Sequence, residues 1–381
     1  MRLAAILLCA CSSTATSAPT PTTEAPAPAE PASLPTTGAR ASTPPTPLLI
    51  GDASATGKLV SARVVAVVGE GVATDRPAYA RQDQPVALFA LLGVERGGRT
   101  IYFSDAKTVT LAGKPLAVEP LSKAPAIELR WNRIEPAVNT MSNGDTPREF
   151  HFEPIDYRAT PIVLGRRTSP TLTADVRPTL TPDHGHGVGT MRFQVVALQH
   201  ERVIASPGPE ARRGRGSGGV TDDVFRVSIR RDDSYLGFLT EMYGQPYIWA
   251  SAGTSDRAHQ SEHLEGSDCA DFVVYGKRRM GGALPYVWTG ALPQHAKLLA
   301  AGARDERGVY RDKGGNPLPF TKIGDLVLFP RHVGVLAVDR GTIGVLDDQD
   351  LMMHTLFDSP KEQAIADSGY ADKPVELRRW K

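Results

Sequence analysis

Cys269 stands between the polar turn Gly266-Ser267-Asp268 and an apolar-striped run, with Phe272, Val273, Gly276 and Met280 at helical spacing. Ser267 or Asp268 is the expected N-cap, and Gly281-Gly282 the stop. A sulfur in the first turn of a helix meets unpaired backbone N–H groups and the positive end of the helix dipole, which favour a thiolate. Such a nucleophile needs a base that takes its proton and returns it to the leaving amine. The C-terminal part of the chain carries His259, His263, His295, His332 and His354. His332 opens a strand directly after Pro330-Arg331, where rigid backbone meets a sheet end. His354 closes the run Leu351-Met352-Met353 and is placed to orient the first imidazole as the third member of a triad. Spacing alone does not choose among these histidines, because a surface or core edge is an ordinary home for each.

The cysteine count sharpens the reading. Of three cysteines in 381 residues, Cys9 and Cys11 fall in the first eleven positions. Arg2, the apolar run Leu3-Ala4-Ala5-Ile6-Leu7-Leu8 and then Cys9-Ala10-Cys11-Ser12-Ser13 read as an export signal ending in small residues. Leu8-Cys9-Ala10-Cys11 resembles a bacterial lipobox, with Cys11 the residue to be lipidated and residues 1–10 removed. Cys269 is then the one free thiol in an oxidising compartment, a liability unless it is used. No run approaches the ~20 apolar residues of a spanning helix, so the expected membrane attachment is a lipid anchor only. A formal net charge of +1 gives no sign of a nucleic-acid partner.

The elements that must position the sulfur follow. Residues 11–48 form a Pro/Thr/Ala/Ser-rich tract, expected to be a disordered tether. Residues 49–231 show short β-like runs broken by Gly and Pro, expected as an all-β, sandwich-like accessory domain. Within it, His184-Gly185-His186 and Arg212-Arg213-Gly214-Arg215 read as loop segments rather than metal or polyanion sites. From 232 to 381 the pattern is α+β. Helices are expected around Tyr235 to Tyr243, after Cys269 and over 293–301. Strands are expected over 323–329, 332–338, 342–346, 351–355 and 375–380, with a hairpin turn at Asp339-Arg340-Gly341.

Four blocks carry a resemblance. Gly244-Gln245-Pro246-Tyr247-Ile248-Trp249, Ser267-Asp268-Cys269-Ala270-Asp271-Phe272-Val273, Gly324-Asp325-Leu326-Val327-Leu328-Phe329 and His332-Val333-Gly334-Val335 resemble, in order, those of the NlpC-type cell-wall cysteine peptidases. Met352-Met353-His354-Thr355 is similar to the strand that ends in that family's polar third residue. The resemblance implies a papain-like α+β C-terminal domain that hydrolyses amide bonds in peptidoglycan stem peptides without a cofactor or metal. It implies Cys269 as nucleophile, His332 as acid/base and His354 as third member. Tyr247 would help form the oxyanion pocket, with Trp249 and Asp268 as substrate contacts. Such a protein would sit in the bacterial cell envelope, lipid-anchored at the outer membrane.

Departures from the family pattern set further expectations. Ala270-Asp271 replaces the usual Ser-Gly, and the loop over 251–267, with His259, Glu262, His263 and Glu265, is expected to remodel the cleft. Asp347, Asp348 and Asp350 are alternative orienting carboxylates to His354. Alternative functions are amidase or acyl-transfer chemistry on a non-wall amide, and a non-catalytic envelope-binding module.

Overall fold

Long apolar alternation along Lys58–Val68 and Val86–Arg96 makes these two strands pair antiparallel from Leu59↔Val94 to Val68↔Val86. They centre a seven-stranded sheet. A second seven-stranded sheet is built on Ile127–Pro136, Gly189–Gln199 and Phe225–Arg230. Leu59, Val64 and Leu92 of the first sheet share one buried core with Leu129, Trp131, Phe193 and Val195 of the second. Burial of the two apolar faces against each other holds the sheets together, and the Leu59 N–H adds a hydrogen bond across them to Gln199 Oε1 at 2.7 Å. The computed structural model describes residues 47–143, 155–163, 170–213 and 218–381, with the backbone of 145–146 and 149–150 as well. The signal, Cys9, Cys11 and nearly all of the Pro/Thr tract lie outside the described residues. Pro45 to Lys381 form one compact unit.

A third sheet carries the candidate site. Its strand order is Tyr310–Arg311, Ala296–Arg304, Val375–Trp380, Leu326–Phe329, His332–Val338, Leu351–His354 and Lys361–Ala364, with every neighbouring pair antiparallel. The pleat sorts its residues. Leu326, Leu328, Val333, Val335 and Met353 pack against Phe272 and Val273 of the helix Cys269–Arg279. Val327, Phe329, Leu336, Met352 and Leu377 fill the opposite core.

The expected papain-like α+β domain is not what the chain forms. The described residues are mostly β, with 43% of them in strands, 11% in helices and several sheets, so helices are too few to make that class. Residues 293–301 show why. They were expected as a helix, but after the short turn Leu292–His295 the chain enters the strand Ala296–Arg304. That strand pairs with Val375–Trp380, and a partner far along the chain overrides the helical preference of its alanines and leucines. Residues 342–346 likewise form no strand. Asp339 accepts from the Gly344 N–H at 3.0 Å, Asp347 from Thr342 at 2.7 Å and Asp350 from Arg340 at 2.7 Å. Carboxylates that bind the local backbone leave no ladder for a hairpin.

Chain segments on either side of position 232 are joined by hydrogen bonds. Thr140–Ser142 runs parallel to Tyr247–Trp249, registered Thr140↔Tyr247 to Ser142↔Trp249. The far edge of Tyr247–Trp249 bridges Ser267, and Ile248 N–H donates to Ser267 O at 3.0 Å. Glu241, fully buried, accepts from Tyr275 Oη at 2.6 Å and from Arg279 Nε at 2.7 Å, fastening the cysteine helix to the turn before it. Among the described residues no helix is long and apolar enough to cross a membrane.

Candidate active site

Asp268 caps the cysteine helix, its Oδ1 accepting from the Ala270 and Asp271 N–H groups at 2.9 Å each. The capped first turn places Cys269 at the floor of a cleft of about 560 Å³. Tyr247, Trp249 and Ala250 form one wall, Trp288, Thr289 and Pro293 another, and Leu328 to Arg331 a third. Trp288 and Trp249 are 76% and 39% exposed, so both indole rings remain open to a ligand. The sulfur is buried, 3.7 Å from Thr289 Oγ1, and also meets the Val333 backbone N–H. Burial pushes the thiol up to about 12, and the neighbouring Asp268 carboxyl adds to the rise. Desolvation therefore outweighs the helix end, and the resting group is a neutral thiol.

His332 and His354 do meet. His332 Nε2 lies 2.8 Å from His354 Nδ1, in a buried pair with ring centroids 5.0 Å apart. Tyr370 stacks on the His332 ring at 4.6 Å. Burial lowers His332 to about 3 and holds His354 well below the ordinary imidazole range, so both rings are neutral. Asp347, Asp348 and Asp350 do not take the place of His354. Asp347 and Asp350 serve local backbone N–H groups, and Asp348 pairs with Arg304 at 2.6 Å.

Cys269 and His332 are not hydrogen-bonded. In the register Phe329 lies opposite His332, and Leu328 opposite Val333. Leu328 and Val333 face the cysteine helix, whereas the His332 ring packs with Phe329 and Tyr370 towards the other core. His332 Nδ1 is left buried without a hydrogen-bond partner.

The loop after Trp249 does not remodel the cleft through its charged residues. Glu262 accepts from Arg278 Nε at 2.5 Å, Glu265 pairs with Arg213, and His263 lies 3.2 Å from Asp222. His259 instead runs beneath the cysteine helix. Its Nε2 is 3.4 Å from Asp271 Oδ2, which also accepts from Ser251 Oγ at 2.5 Å. The Asp271 carboxyl is raised well above the usual range by burial and by the neighbouring Asp268. His184 makes a contact across the chain, 3.0 Å from Asp358. Among the described residues no group of His, Cys, Asp and Glu is arranged to hold a metal.

Sequence reasoning missed Trp288, Thr289, Arg331 and Tyr370. Trp288 and Thr289 lie in a Gly- and Pro-containing connection with no periodicity to flag them, and Tyr370 reaches His332 only through tertiary packing. Arg331 carried a local signal. As the second residue of the Pro330-Arg331 turn it has φ 69°, a left-handed conformation that glycine or asparagine would adopt at lower cost. No family model, curated protein or solved structure matches this chain.

Proposed function

We propose that the chain is a thiol-dependent hydrolase of the bacterial cell envelope, lipid-anchored through Cys11 at the outer membrane, that cleaves amide bonds in peptidoglycan stem peptides. The observation that carries this reading is the placement of Cys269. It opens a capped helix at the floor of an open cleft, and a buried imidazole pair starts at the residue next to Val333, whose N–H meets the sulfur. The four-block resemblance to NlpC-type peptidases names the substrate; the mostly-β fold lends it no support.

In this reading Cys269 Sγ attacks the scissile carbonyl carbon while the thiol proton passes to His332 Nδ1, the unpartnered ring atom. The tetrahedral oxyanion is stabilised by the Cys269 backbone N–H and the Tyr247 hydroxyl. Its collapse breaks the C–N bond, and the amine leaves with the proton from His332. Water then gives a proton to the same nitrogen, attacks the thioester, and releases a carboxylic acid and the thiol. His354 holds the His332 ring from behind. Because thiol and imidazole rest neutral and unbonded, substrate binding must bring His332 Nδ1 to the sulfur. That movement is part of the proposal.

Purified full-length protein incubated with muropeptides tests it, with products read by mass spectrometry as new amine and carboxyl ends. Cys269→Ala should abolish cleavage with folding intact, and His332→Ala should do the same. Cleavage retained by the cysteine variant ends the reading. The missing sulfur–imidazole hydrogen bond favours one rival, an envelope-binding module in which the cleft holds wall peptide without cutting it. Wild-type protein that binds muropeptides and yields no new ends would establish that rival.

A further inference from the structure

The sulfur of Cys269 has two hydrogen-bonding neighbours among the described residues, and neither is an imidazole. One is the Val333 backbone N–H, which can only donate, and the other is Thr289 Oγ1 at 3.7 Å. Among the described residues that hydroxyl has no second hydrogen-bond partner. Its place is fixed from both sides. Val287 packs against the core of the cysteine helix and Leu292 is fully buried in it, so the connection between them is pinned at each end. Between these anchors Trp288 and Gly290 are exposed, and Thr289, half-buried, borders the cleft. Gly290 leaves the room that the Trp288 ring fills, since a Cβ there would collide with the indole. The connection therefore turns one small polar side chain onto the sulfur and leaves one large ring open to solvent.

The surroundings make that hydroxyl matter. The ionisable groups acting on Cys269 are Asp268 and Asp271 of its own helix, with Tyr247 of the cleft wall and Tyr370 beside the His332 ring, and none of them is a cation. Burial and two carboxyls oppose a thiolate there, so an anion at this place depends on neutral donors. A threonine hydroxyl can rotate. It accepts from a neutral S–H and donates to a thiolate, with no change in its own charge.

We propose that Thr289 is a catalytic residue of the cleft, whose hydroxyl accepts from the resting Cys269 thiol and reverses to donate to the sulfur once the proton has left for His332 Nδ1. This rests on the reading of Cys269 as the nucleophile and adds the side chain that holds its anion.

The test is the rate at which iodoacetamide alkylates Cys269 in the full chain at about pH 8, followed by mass spectrometry of the Cys269 peptide. Two pairs of proteins differ by the hydroxyl and little else: wild type against Thr289→Val, and Thr289→Ser against Thr289→Ala. A hydrogen bond to a charged group is worth about tenfold in thiolate fraction. The more basic sulfur left without it is also the better nucleophile, so the net rate should fall about threefold within each pair. A side chain that merely fills space would instead group Thr289→Val with wild type and Thr289→Ser with Thr289→Ala. That grouping, or equal rates throughout, overturns the inference, and if one variant fails to fold the other pair decides. In muropeptide digestion Thr289→Val should lower kcat and leave KM unchanged, and a kcat equal to that of wild type overturns the catalytic role. Slower alkylation without the hydroxyl, in a wild-type protein that cleaves nothing, retains Thr289 as the donor to the thiolate and removes the hydrolase reading.

Discussion

His332 Nε2 and His354 Nδ1 lie 2.8 Å apart in a buried pair, and that one hydrogen bond fixes which His332 nitrogen remains free. His354→Ala would leave Nε2 of His332 buried and unsatisfied. The expected cost is about 1–3 kcal/mol of folding stability, read by urea denaturation. His354→Gln can keep an acceptor near the ring and should recover part of the loss. If the hydrolase reading is right, cleavage should follow the same order, with the glutamine variant above the alanine variant.

The thiol predicts its own pH profile. With Cys269 raised to about 12 by burial, the thiolate fraction grows about tenfold for each pH unit from neutral upward. Alkylation by iodoacetamide should rise with that slope between pH 7 and pH 9 (about two decades) and show no plateau. A plateau at neutral pH would reveal a thiolate–imidazolium pair, contrary to the resting geometry described above.

Acid stability carries the imidazole signature. His332 is lowered to about 3 when folded, against an ordinary value of 6.5. Between those values the unfolded chain binds the proton and the folded chain does not. Stability is therefore lost as pH falls from about 6.5 towards 3, with a slope of up to about 1.4 kcal/mol per pH unit for one group. Asp268, raised to about 6 by burial, acts in the opposite direction, so the readout is a difference between proteins. His332→Gln should show a smaller drop in Tm on acidification than the wild type.

Glu241 is the sharpest test of packing beneath the cysteine helix. It is fully buried and joins Tyr275, Arg279 and Arg230, the last at 3.5 Å. Glu241→Ala strands the cationic partners and should cost about 3–5 kcal/mol in denaturant unfolding, whereas Glu241→Gln should cost less.

Elements specified by neighbouring residues were legible in the sequence. The Asp268 cap and the stripe of Phe272 and Val273 announced the helix Cys269–Arg279, and unbroken apolar runs announced His332–Val338 and Leu351–His354. Elements specified by remote partners were not. Ala296 to Ala301 has helical composition and becomes strand because Val375–Trp380 offers a ladder. The class of the C-terminal half was misjudged for that reason. At the site, Tyr247, Trp249 and Cys269 were readable, and all three border the cleft. Trp288, Thr289 and Arg331 come from connections whose meaning depends on what folds against them. The strand pleat that turns His332 towards Tyr370 is a register property that residue types do not encode.

The parallel pairing of Thr140–Ser142 with Tyr247–Trp249 limits how this chain can be divided or inherited. A fragment beginning near 232 would carry one flank of its cleft as a naked ribbon of amides, with Trp249 on it, and copies would tend to zip together through that ribbon. Grafting the cysteine-bearing half onto a foreign carrier would meet the same difficulty. The upstream sheets and the thiol cleft therefore form a single unit of exchange.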